Sequence, residues 1–187
     1  KITMPRPRTA WAVLLVLSSS AKAMVLRATD ASVDARSCMG TWYVQRQIPA
    51  LNFLEAGSRN GVEKYTAEGD WNAGEQCFSV EYTFNRLGAT QDAVTMVQQR
   101  GWVSSTRRNI WEVSPKVGPF VLPVRLPFLI IDVDPEAFMV CSGGLDSWMY
   151  LMTREQTPDA ALVTSCMATV EAAGFDMTKV LHMPQDN

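Results

Sequence analysis

Polar and apolar residues alternate along eight short stretches of this chain, a pattern typical of β-strands that turn one face towards a core. The clearest case is residues 78–84 (FSVEYTF), where large apolar residues at even-numbered positions alternate with polar ones. We predict strands at residues 41–49, 59–67, 76–85, 93–104, 109–115, 126–133, 137–142 and 147–154. Eight short strands with tight connections indicate an all-β, antiparallel up-and-down barrel.

One helix is predicted after the last strand. Thr157 is a suitable N-cap, Pro158 suits the first helical position, and Asp159 favours the positive end of the helix dipole. Apolar residues recur at three- and four-residue spacing within residues 162–170, which gives one apolar stripe, and Gly174 is a candidate left-handed C-cap. We expect the stripe to pack on the outside of the barrel.

Two short signatures lie on the first and last predicted strands: GTWY at residues 40–43 and LMTR at residues 151–154. The first and last strands of a closed barrel are neighbours, so the Trp42 indole and the Arg154 guanidinium can stack on each other. Gly40 allows the backbone to approach closely at this point. We therefore interpret Gly40, Trp42 and Arg154 as a structural plug at one end of the barrel and not as catalytic residues.

An eight-stranded barrel has room inside for side chains or for one small ligand. Counting alternate residues from Trp42, and applying the same alternation to later strands, predicts an apolar interior with a few polar groups. The predicted ligand-contacting residues on the strands are Val44, Arg46, Phe78, Tyr82, Phe128, Ile130, Trp148 and Tyr150. The alternative is that these side chains fill the barrel as an ordinary core.

Arg46 and Phe53 are the least ordinary members of the predicted site. A charged Arg46 inside an apolar barrel needs a partner, either Asp132 or Glu63 or the anionic head group of a ligand. Phe53 lies in a long connection, residues 50–58, where it either covers the barrel mouth, contacts a ligand or a membrane, or packs on a neighbouring strand.

Residues 1–23 differ in composition from the rest of the chain. Two arginines precede a short apolar run, and the segment ends Ala-Lys-Ala, which predicts a secretory signal peptide cleaved before Met24. We divide the chain into this signal peptide, an N-terminal extension at residues 24–36 and a barrel domain at residues 37–187. The expected location is secreted or lumenal, including a plastid or thylakoid lumen in a photosynthetic organism.

The charge of the chain argues against nucleic acid as a partner. Removing residues 1–23 takes away four of the 17 basic residues and no acidic one, which leaves 13 basic against 19 acidic residues. Binding to phosphates needs clustered Lys and Arg. We therefore expect no nucleic-acid partner.

Four cysteines follow the predicted signal peptide, so disulfides are chemically allowed. Three complete pairings exist. The barrel arrangement favours Cys38 with Cys77, near the plugged end, and Cys141 with Cys166, where the helix covers a strand. We expect no metal or cofactor, because no C-x-x-C pair is present and His182 is the sole histidine.

These signatures together resemble the lipocalin family, most closely the bacterial outer-membrane lipocalins and the apolipoprotein D-like group. Residues 40–43 are similar to the first family motif, residues 131–134 (IDVD) to the second, and Arg154 to the third. Residues 49–57 (PALNFLEAG) and 117–120 (VGPF) also match, and the resemblance covers residues 37–185. It implies a lipocalin barrel with one C-terminal α-helix on its outside.

The resemblance also implies binding and transport of a small hydrophobic or amphipathic ligand, such as a fatty acid, a lysophospholipid or a carotenoid-like pigment. An alternative is an accessory subunit of a membrane complex, photosynthetic or other, that docks through the proline-rich residues 115–127. Peripheral association with a membrane belongs to the same alternative. A third is redox catalysis of the xanthophyll de-epoxidase type, to which residues 37–42 (SCMGTW) are similar, but we expect no enzyme because His182 is isolated.

Overall fold

Eight antiparallel strands close into a barrel in a computed structural model of the chain, which describes residues 33–72, 74–88, 93–145 and 147–186. Each barrel strand pairs with the next, and the last pairs with the first. The barrel strands are β1 Gly40–Ile48, β2 Arg59–Glu68, β3 Cys77–Asn85, β4 Val94–Val103, β5 Ile110–Val117, β7 Leu126–Asp134, β8 Phe138–Ser142 and β9 Met149–Thr153. The predicted up-and-down barrel is confirmed. The predicted signal peptide lies outside the described residues.

Two short strands extend the barrel. β6, Phe120–Val121, pairs with the end of β5 and turns the proline-rich segment into a hairpin at the barrel mouth. β10, Leu181–His182, pairs with β1 near the C-terminus. A one-turn helix α1, Asn52–Glu55, lies between β1 and β2, and a 3₁₀ helix, Met177–Lys179, precedes β10.

Two β-bulges change the direction in which side chains point. The register of β1 shifts at Gln45 and that of β7 shifts at Ile131. An extra residue moves every following side chain to the opposite face of the strand. Arg46 and Asp132 therefore pair with residues whose side chains pack outside the barrel. Their predicted inward orientation, and the ion pairs proposed for Arg46, are wrong.

The C-terminal helix α2, Ala160–Ala172, packs on the outside of the barrel as predicted. Its N-cap differs from the prediction, because the Asp159 carboxylate accepts a hydrogen bond from the Ala161 amide at 2.7 Å. Thr157 and Pro158 therefore precede the helix. Gly174 follows its end with a φ of +94°, as predicted.

The barrel wall separates two apolar cores. The inner core fills the barrel and includes the fully buried Trp42 and Trp111. The outer core lies between α2 and strands β7 to β9, where Val163 and Val170 pack against Leu151 and its neighbours. No helix in the described part of the chain has both the length and the apolar character needed to cross a bilayer.

All four cysteines are free thiols, so the predicted disulfides are wrong. Cys141 points into the inner core, whereas Cys166 lies in the outer core on α2. The backbone of β8 separates these two thiols. Cys38 is likewise part of the inner core, while Cys77 precedes the inward-facing Phe78 and therefore points outwards.

Candidate functional site in the barrel interior

One end of the barrel is closed by Arg154 and Trp42. The guanidinium carbon lies 3.6 Å from the centre of the indole ring. Its N–H groups donate to the backbone carbonyls of Pro135 at 2.8 Å, Thr41 at 3.0 Å, and Ser37 and Met39 at 2.9 Å. The arginine thus satisfies four carbonyls of the chain segments that converge below the barrel.

Gly40 is a part of this closed end for a steric reason. Its φ is +103°, and a Cβ atom there would lie 3.2 Å from the Nη1 atom of Arg154. Trp42 is fixed from the other side, because its indole N–H donates to the Cys38 carbonyl at 2.8 Å. The three residues predicted as a plug therefore lie in direct contact.

Aromatic rings fill the half of the barrel next to the plug. Phe78 and Trp111 have ring centres 5.0 Å apart, and Trp111 and Phe128 lie 5.5 Å apart, while Tyr65 contacts all three. A Cβ atom on Gly101 would come within 2.2 Å of the Phe78 ring. This lower layer is close-packed core.

The upper half of the barrel, towards the mouth, has a mixed lining. A second group of rings continues upwards from Phe128 through Trp148, Tyr150 and Tyr82, with ring centres 5.3 to 5.7 Å apart. All the predicted contacts on strands other than Arg46 belong to the inner core or pack against it: Val44, Phe78, Tyr82, Phe128, Ile130, Trp148 and Tyr150.

Glu55 enters the upper half from the loop between β1 and β2. It ends α1, is 3% exposed, and accepts hydrogen bonds from the Tyr150 hydroxyl at 2.6 Å and the Leu51 amide at 3.1 Å. Burial raises the pKa of its carboxyl above the usual value. Phe53 in the same helix is 70% exposed and points away, so Leu54 is the apolar residue of this loop that packs on the inner core.

Glu63 is a second carboxyl inside the barrel. It lies on β2 opposite Trp42 and is 4% exposed. Its Oε2 atom accepts a hydrogen bond from the Tyr65 hydroxyl. Burial, with a further contribution from the negative charge of Glu55, raises the pKa of Glu63 to about 7. This carboxyl therefore titrates near neutral pH.

Gln47 joins Glu55 in the upper half of the barrel. The β1 bulge turns it inwards in place of Arg46, and it is fully buried. Its amide Nε2 donates to the Glu55 carbonyl at 3.2 Å, while its Oε1 atom has no hydrogen-bond partner among the described residues. The Tyr82 hydroxyl lies close to Tyr150. It likewise has no hydrogen-bond partner among the described residues.

The C-terminal tail inserts between β1 and β2 and adds a residue to the interior. The Met183 amide donates to the Gln45 carbonyl at 3.1 Å, and the Asn60 amide donates to the Pro184 carbonyl at 2.7 Å. The Met183 side chain is fully buried in the inner core. The tail thereby takes the place of direct pairing between the upper parts of these strands.

The rim of the barrel mouth is apolar. The large hydrophobic side chains that are exposed among the described residues all lie in mouth-side loops or at mouth-side strand ends: Phe53, Leu87, Val94, Met96, Val117 and Phe120. A cavity of about 240 Å³ opens at this rim, lined by Gly57, Arg59, Arg86, Leu87 and Gly88. None of these lining residues is a predicted ligand contact.

Sequence reasoning missed the interior roles of Glu55, Gln47 and Met183, and it considered Glu63 only as a partner for Arg46. A signal for Glu63 was present, since it stands between Gly61 and Tyr65 at alternate positions of a strand. No comparable signal exists for Gln47, because its orientation depends on a bulge.

Among the described residues no group of three or more His, Cys, Asp or Glu is placed to hold a metal ion.

The profile of the lipocalin-like domain family matches residues 33–185. This match covers most of the chain, and the barrel, the plug and the outer helix agree with it. The chain therefore belongs to the lipocalin-like domain family. The narrower assignment to the bacterial or apolipoprotein D-like group stays a prediction.

Several solved structures share the fold. Lobster apocrustacyanin A1 is 14% identical with a TM-score of 0.61 over 82% of this chain and 81% of that chain. Insecticyanin from the tobacco hornworm Manduca sexta is 14% identical with a TM-score of 0.61, covering 83% and 82%. The siderocalin Ex-FABP is 11% identical with a TM-score of 0.57, covering 81% and 96%. These likenesses establish the fold alone. No curated protein sequence matches the chain.

Proposed function

We propose that the protein binds and carries a small hydrophobic or amphipathic molecule in the upper half of its barrel. The observation that carries this proposal is the division of the interior into a close-packed aromatic layer above the plug and a mixed upper layer beneath the mouth. Apolar walls with a few polar groups at one depth are what small-molecule sites require. The family membership supports the same function.

The ligand would enter past the loop that carries α1. Glu55 holds this loop over the interior through Tyr150 and Gln47, so entry requires these contacts to open. Burial of ligand hydrocarbon would drive binding, since ten methylenes contribute roughly 8 kcal/mol before the costs of ordering. The expected affinity is micromolar.

A binding titration tests the proposal. The neutral probe N-phenyl-1-naphthylamine should bind with enhanced fluorescence and in competition with one natural lipid extracted from the purified protein. Val97→Trp, which adds bulk beside Tyr82 inside the upper half, should weaken binding at least about tenfold. Val117→Trp, on the exposed rim, is the matched control and should leave affinity unchanged. Equal effects of the two substitutions would refute an interior site.

A lipid surface is the second candidate partner, and the apolar rim favours it. Clustered exposed apolar side chains mark contact sites for proteins or membranes. The double variant Phe53→Ser, Phe120→Ser should lose flotation with phosphatidylcholine vesicles, whereas Thr106→Ser, in the turn between β4 and β5 at the plugged end, should retain it. Absence of flotation in the unmodified protein would exclude this role.

We propose export through residues 1–23 as the route to a secreted or lumenal compartment. The support is the charge and hydrophobicity pattern of those residues. Sequencing the N-terminus of the protein recovered from its natural source should give Met24 as the first residue. Recovery of a protein that still contains residues 1–23 would contradict the proposal.

A further inference from the structure

The barrel interior contains two buried carboxyl groups without a neutralising cation. Glu55 reaches the upper half from α1, and Glu63 lies where the two halves meet, between Trp42 and Tyr82 on the neighbouring strands. Neither forms an ion pair with any described Lys, Arg or His. The basic residue expected there, Arg46, lies on the outer face, where its guanidinium donates to a backbone carbonyl. A buried carboxylate needs a partner, so ionisation of either group leaves a charge that a cation can match.

Two buried polar atoms of the upper half have no hydrogen-bond partner among the described residues. The Oε1 atom of the fully buried Gln47 has no partner among the described residues, although its Nε2 atom is anchored on the Glu55 carbonyl. The Tyr82 hydroxyl is the second such atom, whereas the hydroxyls of Tyr65 and Tyr150 each donate to a carboxylate. A buried acceptor without a donor is destabilising, and a ligand N–H would remove that cost.

Aromatic rings form the walls around these acceptors. Tyr82, Trp148 and Tyr150 lie next to one another in the upper half, and the Glu55 carboxylate is bonded to the last of them. The faces of such rings attract cations, most strongly where water is excluded. Carboxylates, an amide oxygen and ring faces therefore share one preference, for a positively charged group that carries N–H donors.

We propose that the ligand of this barrel carries a protonated amine, whose N–H groups bind the Glu63 carboxylate and the oxygen of the Tyr82 hydroxyl on the neighbouring strand and whose apolar part packs on the surrounding rings. This inference rests on the proposed function, because it requires a ligand in the upper half. It also changes the expected ligand class. A fatty acid or a phosphate would meet two carboxyls and no described cation, so anionic head groups are disfavoured.

Proton linkage adds a distinctive signature. Because the pKa of Glu63 is about 7, much of this carboxyl is protonated in the free protein near pH 6.5. An ammonium ion beside it favours the ionised form, so Glu63 releases a proton to solvent when the amine binds. A neutral ligand of the same shape has no such effect.

Calorimetric titration with decylamine, decanol and decanoate tests the proposal, since these probes differ only in their head groups. Each is used below its critical micelle concentration, at pH 6.5, in two buffers with different ionisation enthalpies. Decylamine should bind at least about tenfold more tightly than decanol and release protons, and decanoate should bind most weakly. Tighter binding of decanoate, or equal binding of all three, overturns the amine proposal but leaves the carrier function standing. No binding of any probe overturns both.

Substitutions locate the amine. Glu63→Gln should weaken decylamine binding at least about tenfold, abolish the proton release, and change decanol binding less than about twofold. Glu55→Gln provides a second variant should Glu63→Gln fold poorly, and it should reduce decylamine affinity in the same direction. Glu171→Gln, at an exposed position on α2, removes the same charge away from the barrel and should leave all three affinities unchanged. A loss of decylamine binding in Glu171→Gln equal to that in Glu63→Gln would show a nonspecific charge effect and refute the site.

Discussion

Arg154, directly after β9, stacks on Trp42 of the neighbouring strand β1, with the guanidinium carbon 3.6 Å from the indole centre, and it also donates to four backbone carbonyls. The arginine therefore links β9 to the segment before β1 and to the turn between β7 and β8. This arrangement needs the planar, five-donor geometry of guanidinium, which an ammonium group does not have.

Replacing Arg154 with alanine should lower the free energy of unfolding by about 3 kcal/mol, because charge-assisted hydrogen bonds and a cation–π contact are lost together. Arg154→Lys should recover only a small part of the loss. Urea unfolding followed by tryptophan fluorescence measures both. The control is Arg125→Ala, which removes an exposed guanidinium 4.0 Å from the Trp102 ring and should cost about 1 kcal/mol or less. Similar losses in the two alanine variants would show that Arg154 has no special role.

Glu63 should make the protein less stable as pH rises. Its pKa is about 7 in the folded protein against 4.5 for an ordinary glutamate, so the folded state binds more protons across that interval. The contribution of Glu63 to stability is therefore highest below pH 4.5 and decreases until the pH exceeds 7. The free energy of unfolding of Glu63→Gln should therefore increase, relative to that of the unmodified protein, by about 3 kcal/mol between pH 4 and pH 8.

Urea unfolding at both pH values measures this difference. The other groups near Glu63 do not titrate in the interval, because burial raises the pKa of each above its usual value: Tyr65, Tyr82, Tyr150 and Cys141. Glu55 is present in both proteins, so its own titration cancels to first order. A pH-independent difference would show that the pKa of Glu63 in the folded protein is that of an ordinary glutamate.

Asp159 should be the residue that stabilises the start of α2. Its carboxylate caps the Ala161 amide, so Asp159→Ala should cost about 1 kcal/mol. Thr157→Ala is a suitable control, because Thr157 is exposed and precedes the cap, and its cost should be about 0.3 kcal/mol or less. Thermal unfolding measures both. A larger loss of stability in Thr157→Ala than in Asp159→Ala would show that Thr157 is the N-cap, as the sequence pattern predicted.

The four thiols should all be alkylated when the protein is denatured without a reductant. Mass spectrometry should then show four adducts of iodoacetamide. Native protein should react slowly, because burial raises the pKa of Cys38 and of Cys166 to about 11, and it is the thiolate that reacts. Two or fewer adducts after denaturation would demonstrate disulfides, and peptide mapping would then identify the pairing.

The strands, the plug and the outer helix could all be predicted from local pattern, because each depends on alternation, spacing or a short motif. Phe78, Tyr82 and Tyr150 face inwards as alternation predicts. The predicted site failed where a strand is irregular. The bulge at Gln45 places Gln47 inside and Arg46 outside, and no alternation count can show such a shift.

The sequence by itself determined that this chain forms a closed barrel with an aromatic interior, because side-chain period and turn residues limit how strands can pair. Only the tertiary structure decided the chemistry of that interior. Glu55 reaches the interior from a loop and Glu63 from β2, and residues 183–186 lie between β1 and β2. The charge inside a barrel depends on which side chains several distant segments bring together, and that is a property of packing and not of local pattern.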